Sequence, residues 1–221
     1  IFLMADGSVR GCGSNKRGQL GARLPNTNVL EVAVLEEVPA KVVAVACGQH
    51  FSLALTSDGE LLGFGDNQRG QLASSPIVEV VGVKNIKFAF DAPIKDISCG
   101  WTHAAVMLTD GRIYCWGRND YGQLGRPGKD AILDEKEYVP PAATLTNCRA
   151  LASGSEHVLA LDSRGRRLMS WGWNEHGNCG INSTANATEP ADVQVPPGTT
   201  SVRTFCAASG HSFAVVTVQR E

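Results

Sequence analysis

Hydrophobic positions along this chain gather in short runs broken by glycine-rich turns, such as "KVVAVACG" at 41–48, "FSLALTSDG" at 51–59 and "RIYCWG" at 112–117. Runs rich in Val, Leu and aromatic residues, bounded by Gly and Asp, predict strands. The second run breaks at Asp58-Gly59, a hairpin signal, and "GELLGFG" at 59–65 follows as the next strand. No segment keeps a helical period beyond about ten residues. "DAILDEKEY" at 130–138 is compatible with one short helical turn inside a loop.

The runs recur in register. Asp6-Gly7, Asp58-Gly59 and Asp110-Gly111 are followed by Arg164-Gly165 in the fourth place, at intervals of 52 to 54 residues. Downstream of each come Cys12-Gly13, Phe64-Gly65, Trp116-Gly117 and Trp171-Gly172, then Asn15, Asn67, Asn119 and Asn174. "GQLG", "GQLA", "GQLG" and "GNCG" close the units at 18–21, 70–73, 122–125 and 177–180. Upstream stand Cys47-Gly48, Cys99-Gly100, Ser153-Gly154 and a degraded Ala207-Ala208. Next come His103, His157 and His211, with Phe51 in that slot of the second copy and His50 one place early.

A helix-free unit of this length, repeated, is the pattern of a β-propeller blade. The expected fold is all-β: a single propeller, residues 1–221, of four-stranded antiparallel blades. The units run approximately 1–44, 45–96, 97–150, 151–204 and a half unit 205–221. A blade buries both faces only against neighbours. The repeated letters then take architectural roles. Trp116 and Trp171 fill the seams between blades, and His103, His157 and His211 tether backbone within their own blades. The first and last strands could complement one another to close a ring. The preferred reading is a longer ring, with the remaining blades missing or on another chain, because unstacked end faces expose apolar area.

Letters that differ between units are the candidates for recognition. Trp101 stands where other units have Gln49 and Ser155; Trp173 stands where they have Asp66 and Arg118. Exposed tryptophans are frequent binding hot spots. With Arg118, Asp120, Tyr121, Glu156, Glu175 and His176 they form the expected partner surface.

Charge removes some alternatives. The 221 residues carry 20 basic and 22 acidic side chains, without the basic excess that phosphate neutralisation of duplex nucleic acid requires. Nucleic acid is therefore not the expected partner. The seven cysteines show no Cys-x-x-Cys pair, so zinc is not expected, and an odd number without a disulfide framework suits the cytoplasm or nucleus. No apolar run is long enough to cross a membrane as a helix. "GCGSNKRG" and "GFGDNQRG" lack both the spacing and the Gly-Lys-Ser/Thr ending of a phosphate loop. No cofactor, catalytic residue or metal site is expected. The repeat accounts for the histidines that a hydrolytic triad would need.

The stretches "CGWTHAAVMLTDGRIYCWGRNDYGQLG" at 99–125 and "SGSEH" with "SWGWNEHGNCG" at 153–157 and 170–180 resemble the regulator of chromosome condensation repeat, a family of seven-bladed propellers. Their order, after "GQLA", is similar to the C-terminal half of a secretion-linked branch of that family. The resemblance implies propeller faces and loops presented to proteins. The founding member catalyses nucleotide exchange on a small nuclear GTPase and binds chromatin, and the secretion-linked branch is tied to an exocyst component. No catalytic loop of the founding member maps onto these loops, and no basic tail is present. The expected function is a protein-interaction propeller, a regulatory scaffold with a small GTPase or exocyst component as partner. The alternative is a genuine guanine nucleotide exchange factor. A third reading, an ultraviolet photoreceptor-like propeller, needs tryptophans clustered at a dimer face; four tryptophans exist and only Trp101 fits that slot.

Overall fold

The computed structural model describes residues 1–21, 24, 27–73, 81–127 and 142–219; the expected helical turn at 130–138 lies outside the described residues. Among the described residues there is no helix, and the strands form successive antiparallel sheets. The first sheet holds β1 (Phe2–Leu3), β2 (Val9–Ser14) and β3 (Asn28–Val34). The second holds β4 (Val42–Cys47), β5 (Phe51–Thr56), β6 (Leu61–Gly65) and β7 (Val81–Asn85). The third holds β8 (Ile94–Cys99), β9 (His103–Leu108) and β10 (Ile113–Gly117), with an isolated bridge from Ile113 to Leu145. The fourth holds β11 (Cys148–Ser153), β12 (His157–Asp162), β13 (Leu168–Gly172) and β14 (Ala187–Asp192); the fifth holds β15 (Thr199–Ala208) and β16 (His211–Val218).

Each sheet is a blade, and the apolar residues explain why. Side chains alternate between the faces of a strand. Along β9, Ala104, Val106 and Leu108 pack with Phe51, Leu53 and Leu55 of the preceding blade, while Ala105 and Met107 pack with Val158 and Ala160 of the following one. All six residues of β9 are buried, because both its faces are covered. The same seam joins Val9 and Leu20 to Phe64, and Leu159 and Leu161 to Val202. The hairpins between second and third strands turn at the Asp-Gly pairs, where Gly59 and Gly111 hold φ of +83° and +84°, a region that glycine enters without steric cost.

Polar bonds fix how far one blade rotates against the next. The indole N–H of Trp116 donates to the Gln71 carbonyl at 3.0 Å, and that of Trp171 to the Gln123 carbonyl at 3.0 Å. In the preceding seam, where Phe64 replaces tryptophan, the Ser52 hydroxyl donates to the Gln19 carbonyl at 2.9 Å. An asparagine braces each closing loop from within. Asn67 Oδ1 accepts from the Leu72 amide at 2.8 Å, and Asn119, Asn15 and Asn174 repeat that bond to Leu124, Leu20 and Cys179.

The outermost blades differ from the inner ones. Among the described residues the first and last sheets share no ladder, so these end strands do not pair with each other. Phe213 and Val215 on β16 are 62% and 55% exposed, whereas Leu159 and Leu161, which hold the same places one blade earlier, are 1% and 2% exposed. At the other end Leu30, Val32 and Val34 of β3 are also exposed. These positions therefore separate residue type from burial. Leu159→Ala is expected to cost about 2–5 kcal/mol, and Phe213→Ala less than about 0.5 kcal/mol, in urea unfolding of this chain. Equal losses would show that β16 is already covered.

Candidate functional site

The second strand of each blade starts, and the third strand ends, at one side of the propeller. Near its axis that side carries a backbone ladder. The Gln49 amide donates to the Trp101 carbonyl at 3.2 Å, the Trp101 amide to the Ser155 carbonyl at 2.7 Å, and the Ser155 amide to the Ser209 carbonyl at 2.8 Å. These are equivalent positions in successive blades. The ladder uses main-chain groups, so it accepts Gln, Trp or Ser. The Trp101 side chain is 47% exposed on this fixed backbone.

The next shell outward uses another repeated backbone bond. Amides of Asp66, Arg118 and Trp173 donate to carbonyls of His50, Thr102 and Glu156 at 2.8, 3.0 and 2.8 Å. Side chains here are specific to their blade. Glu156 is buried and bridges to the preceding blade: Gln123 Nε2 donates to its Oε2 at 2.6 Å, and Thr102 Oγ1 and Arg118 Nη1 approach its Oε1 at 3.5 and 3.4 Å. Burial pushes the Glu156 carboxyl up, and these donors oppose the shift. Arg118 also pairs with Asp120 at 2.6 Å and lies over the Tyr121 ring, 5.0 Å from its centroid. Trp173 donates to Glu175 at 3.3 Å and meets the His176 ring edge-on at 5.2 Å. Its ring leans toward the last blade, where a Cβ on Gly210 would stand 3.2 Å away.

Trp101, Arg118, Asp120, Tyr121, Glu156, Trp173, Glu175 and His176 thus lie on one side of the propeller, linked through Ser155 and Glu156. Sequence reasoning missed Gln123 and Thr102, the polar partners of Glu156. The glutamine of "GQL" is a repeated letter, and in the third unit it takes on this second bond.

The histidines do not tether backbone in their own blades. His103 and His157 are fully buried, with rings packed against Gly100 and Gly154, where an added Cβ would come within 2.0 and 2.1 Å. Phe51 packs on Gly48 in the same way, so the slot needs a flat ring rather than a donor. Both ring nitrogens of His103 lack a partner, and His157 Nε2 bonds Ser212 Oγ of the next blade at 2.9 Å. His211, at the same place on β16, is exposed. Trp116 and Trp171 are wholly buried in the seams. Among the described residues no three His, Cys, Asp or Glu side chains are grouped to hold a metal.

Repeat-built blades with repeated seams and a blade-specific rim define a propeller of the regulator of chromosome condensation type. Residues 1–214 match the RCC1-like domain, and the chain belongs to that family. It is 36% identical over 190 residues to the mouse (Mus musculus) secretion-regulating guanine nucleotide exchange factor, covering 79% of this chain and 40% of that protein. The solved structure of human WBSCR16 superposes with a TM-score of 0.80 at 26% identity, over 98% of this chain and 55% of that one. Prp20p from Saccharomyces cerevisiae, a structure described with its binding to Gsp1p and histones, superposes at 0.81 with 21% identity, over 97% of this chain and 52% of that one. The chain thus spans about two fifths of the curated relative and about half of the solved propellers.

Burial pushes His103 down to about 3 and His157 to about 4, so both stay neutral in the folded state. In the unfolded chain they take up protons below about pH 6.5. Stability is therefore full above that pH and falls as the pH drops from about 6.5 toward 4, by about 1.4 kcal/mol per pH unit for each ring. Urea unfolding at pH 7, 6 and 5 checks this; a flat profile would contradict the burial of neutral rings.

Proposed function

We propose that this chain is a protein-interaction propeller, a regulatory scaffold of a small-GTPase or secretory pathway, which holds its partner on the Trp101–Trp173 side. The observation that carries this reading is Trp101: a large indole, 47% exposed, on a backbone bonded to both adjacent blades. An aromatic anchor on an already ordered backbone has only its side-chain freedom to lose on binding. Beside it, Arg118, Asp120 and Tyr121 offer a polar rim around a pre-ordered network. A small GTPase is the partner class that the name of the secretion-regulating relative favours, and an exocyst-type component is the other class that the family resemblance implies. Further blades, on this polypeptide or another, cover Phe213, Val215 and the β3 face. The place of action is the cytoplasm or nucleus, a reading supported by seven free thiols.

A second reading, genuine nucleotide exchange, is favoured by the name of that same relative. It requires the bound partner to be a GTPase whose nucleotide site is distorted on docking. The two readings separate in one pair of measurements. In affinity capture from a cell extract, Trp101→Ala and Trp173→Ala are each expected to weaken retention of the captured partner about tenfold or more, with the melting temperature unchanged. Capture equal to the parent would place the partner elsewhere. Release of fluorescent GDP from a panel of small GTPases is expected to stay at its intrinsic rate if the chain is a scaffold, and acceleration would replace that reading with exchange.

A further inference from the structure

The side opposite Trp101 carries a feature built by the strand register. In β4, β8, β11 and β15 a residue is squeezed out of the ladder at the equivalent place, and β15 loses Thr200 as well. Pairing steps from Val42–Thr56 to Ala44–Leu55, from Ile94–Leu108 to Asp96–Met107, from Cys148–Asp162 to Ala150–Leu161, and from Val202–Val216 to Thr204–Val215. The extra residues are Val43, Lys95, Arg149 and Arg203, all exposed. A bulge bends its strand and re-aims the side chain it carries. Here the same bulge, repeated blade after blade, presents a file of three cations at the strand ends that meet the Asp-Gly turns. Lys95 Nζ donates to the Arg149 carbonyl and Arg149 Nη2 to the Val202 carbonyl, both at 3.2 Å, so each of these two leans on the following blade.

The turns beside this file change sign along the chain. Asp58 pairs with Lys41, and Asp110 pairs with Arg112, which also holds Asp91. In the fourth unit the aspartate is replaced by Arg164, and Arg166 stands on the other side of Gly165. The Arg149 guanidinium lies against that turn, where a Cβ on Gly165 would come within 2.4 Å of it. The nearby carboxylates are already engaged. Asp162 accepts the amides of Arg166 and Arg167 at 2.7 and 2.8 Å, and Asp192 pairs with Arg167. Among the described residues no carboxylate pairs with Lys95, Arg149, Arg164, Arg166 or Arg203.

We propose that these five cations form a docking surface for an acidic segment, rich in Asp and Glu, of a partner protein. Guanidinium forks match carboxylates in bidentate geometry, and a cluster of unpaired like charges steers an anionic partner toward it. The same side favours a short acidic segment over a polynucleotide. Along it the patch gives way to exposed carboxylates that outnumber their cations two to one, Asp58 and Glu60 around Lys41, and Asp91 and Asp110 around Arg112, and the chain as a whole carries a net charge of −2. A polyanion continuing past the fourth blade would run into these carboxylates. The surface is independent of the Trp101 side and stands whether or not that side binds a partner.

The test is fluorescence anisotropy with the full chain and a short fluorescein-labelled oligoglutamate peptide, with oligoglutamine and a short DNA duplex as comparison probes. The oligoglutamate is expected to bind, to weaken as salt rises toward physiological strength, and to bind more tightly than either comparison probe. The double variant Arg164→Glu/Arg166→Glu should lose about tenfold or more in affinity, while Lys84→Glu, on the outer strand of the second blade, should not change it. Arg164→Ser/Arg166→Ser, milder at the turn, decides the matter if the reversed pair does not melt cooperatively. No oligoglutamate binding, affinity unmoved in the serine variant, or tighter binding of the duplex would each overturn the proposal.

Discussion

Every inner sheet of this protein is apolar on both faces, and that constraint governs the rest. Burying such a sheet requires a neighbour on each side. The alternation along β9 divides its residues between two seams, and the sequence supplies both sets from strands about one repeat away. Stability is therefore shared between blades rather than held within any one of them. Phe213 and Val215 keep the same apolar pattern on β16, where no described sheet lies against them.

Apolar packing alone would let one sheet slide against the next, because dispersion and the hydrophobic effect carry little direction. Direction comes from groups that the repeat places in each seam: indole to glutamine carbonyl at the rim, amide to carbonyl near the axis. With the backbone held this way, a side chain whose main chain is already bonded can vary freely. Trp101 occupies such a position on one side of the propeller, whereas Arg149 on the other is freed by leaving the ladder. The first rides on the ladder and the second on a bulge.

The fold was largely legible because its signals are both local and repeated. Asp-Gly turns, the aromatic before glycine, and the asparagine of each closing loop declare themselves by recurrence, and each has a short-range cause. The histidine column was misread, although Phe51 in the same slot already pointed to ring volume instead of hydrogen bonding. What depends on three-dimensional register was hidden. The ladder through Trp101 uses main-chain atoms and leaves no letter. The bond from Gln123 to Glu156 spans 33 residues. The bulges that expose Lys95, Arg149 and Arg203 follow from pairing between strands, which composition does not encode. The grouping of Trp101, Arg118 and Trp173 on one side was readable from their place relative to the repeat, but the buried Glu156 carboxylate that takes Gln123, Thr102 and Arg118 of the preceding blade was not.

The central claim is that consecutive blades are locked together by backbone bonds near the axis. Amide hydrogen exchange at Gln49, Trp101 and Ser155 tests it most directly. The account predicts that these loop amides exchange only through global unfolding, as slowly as the amides of β9 and β12. Exchange at the rate of open loops, while the strands stay protected, would contradict it.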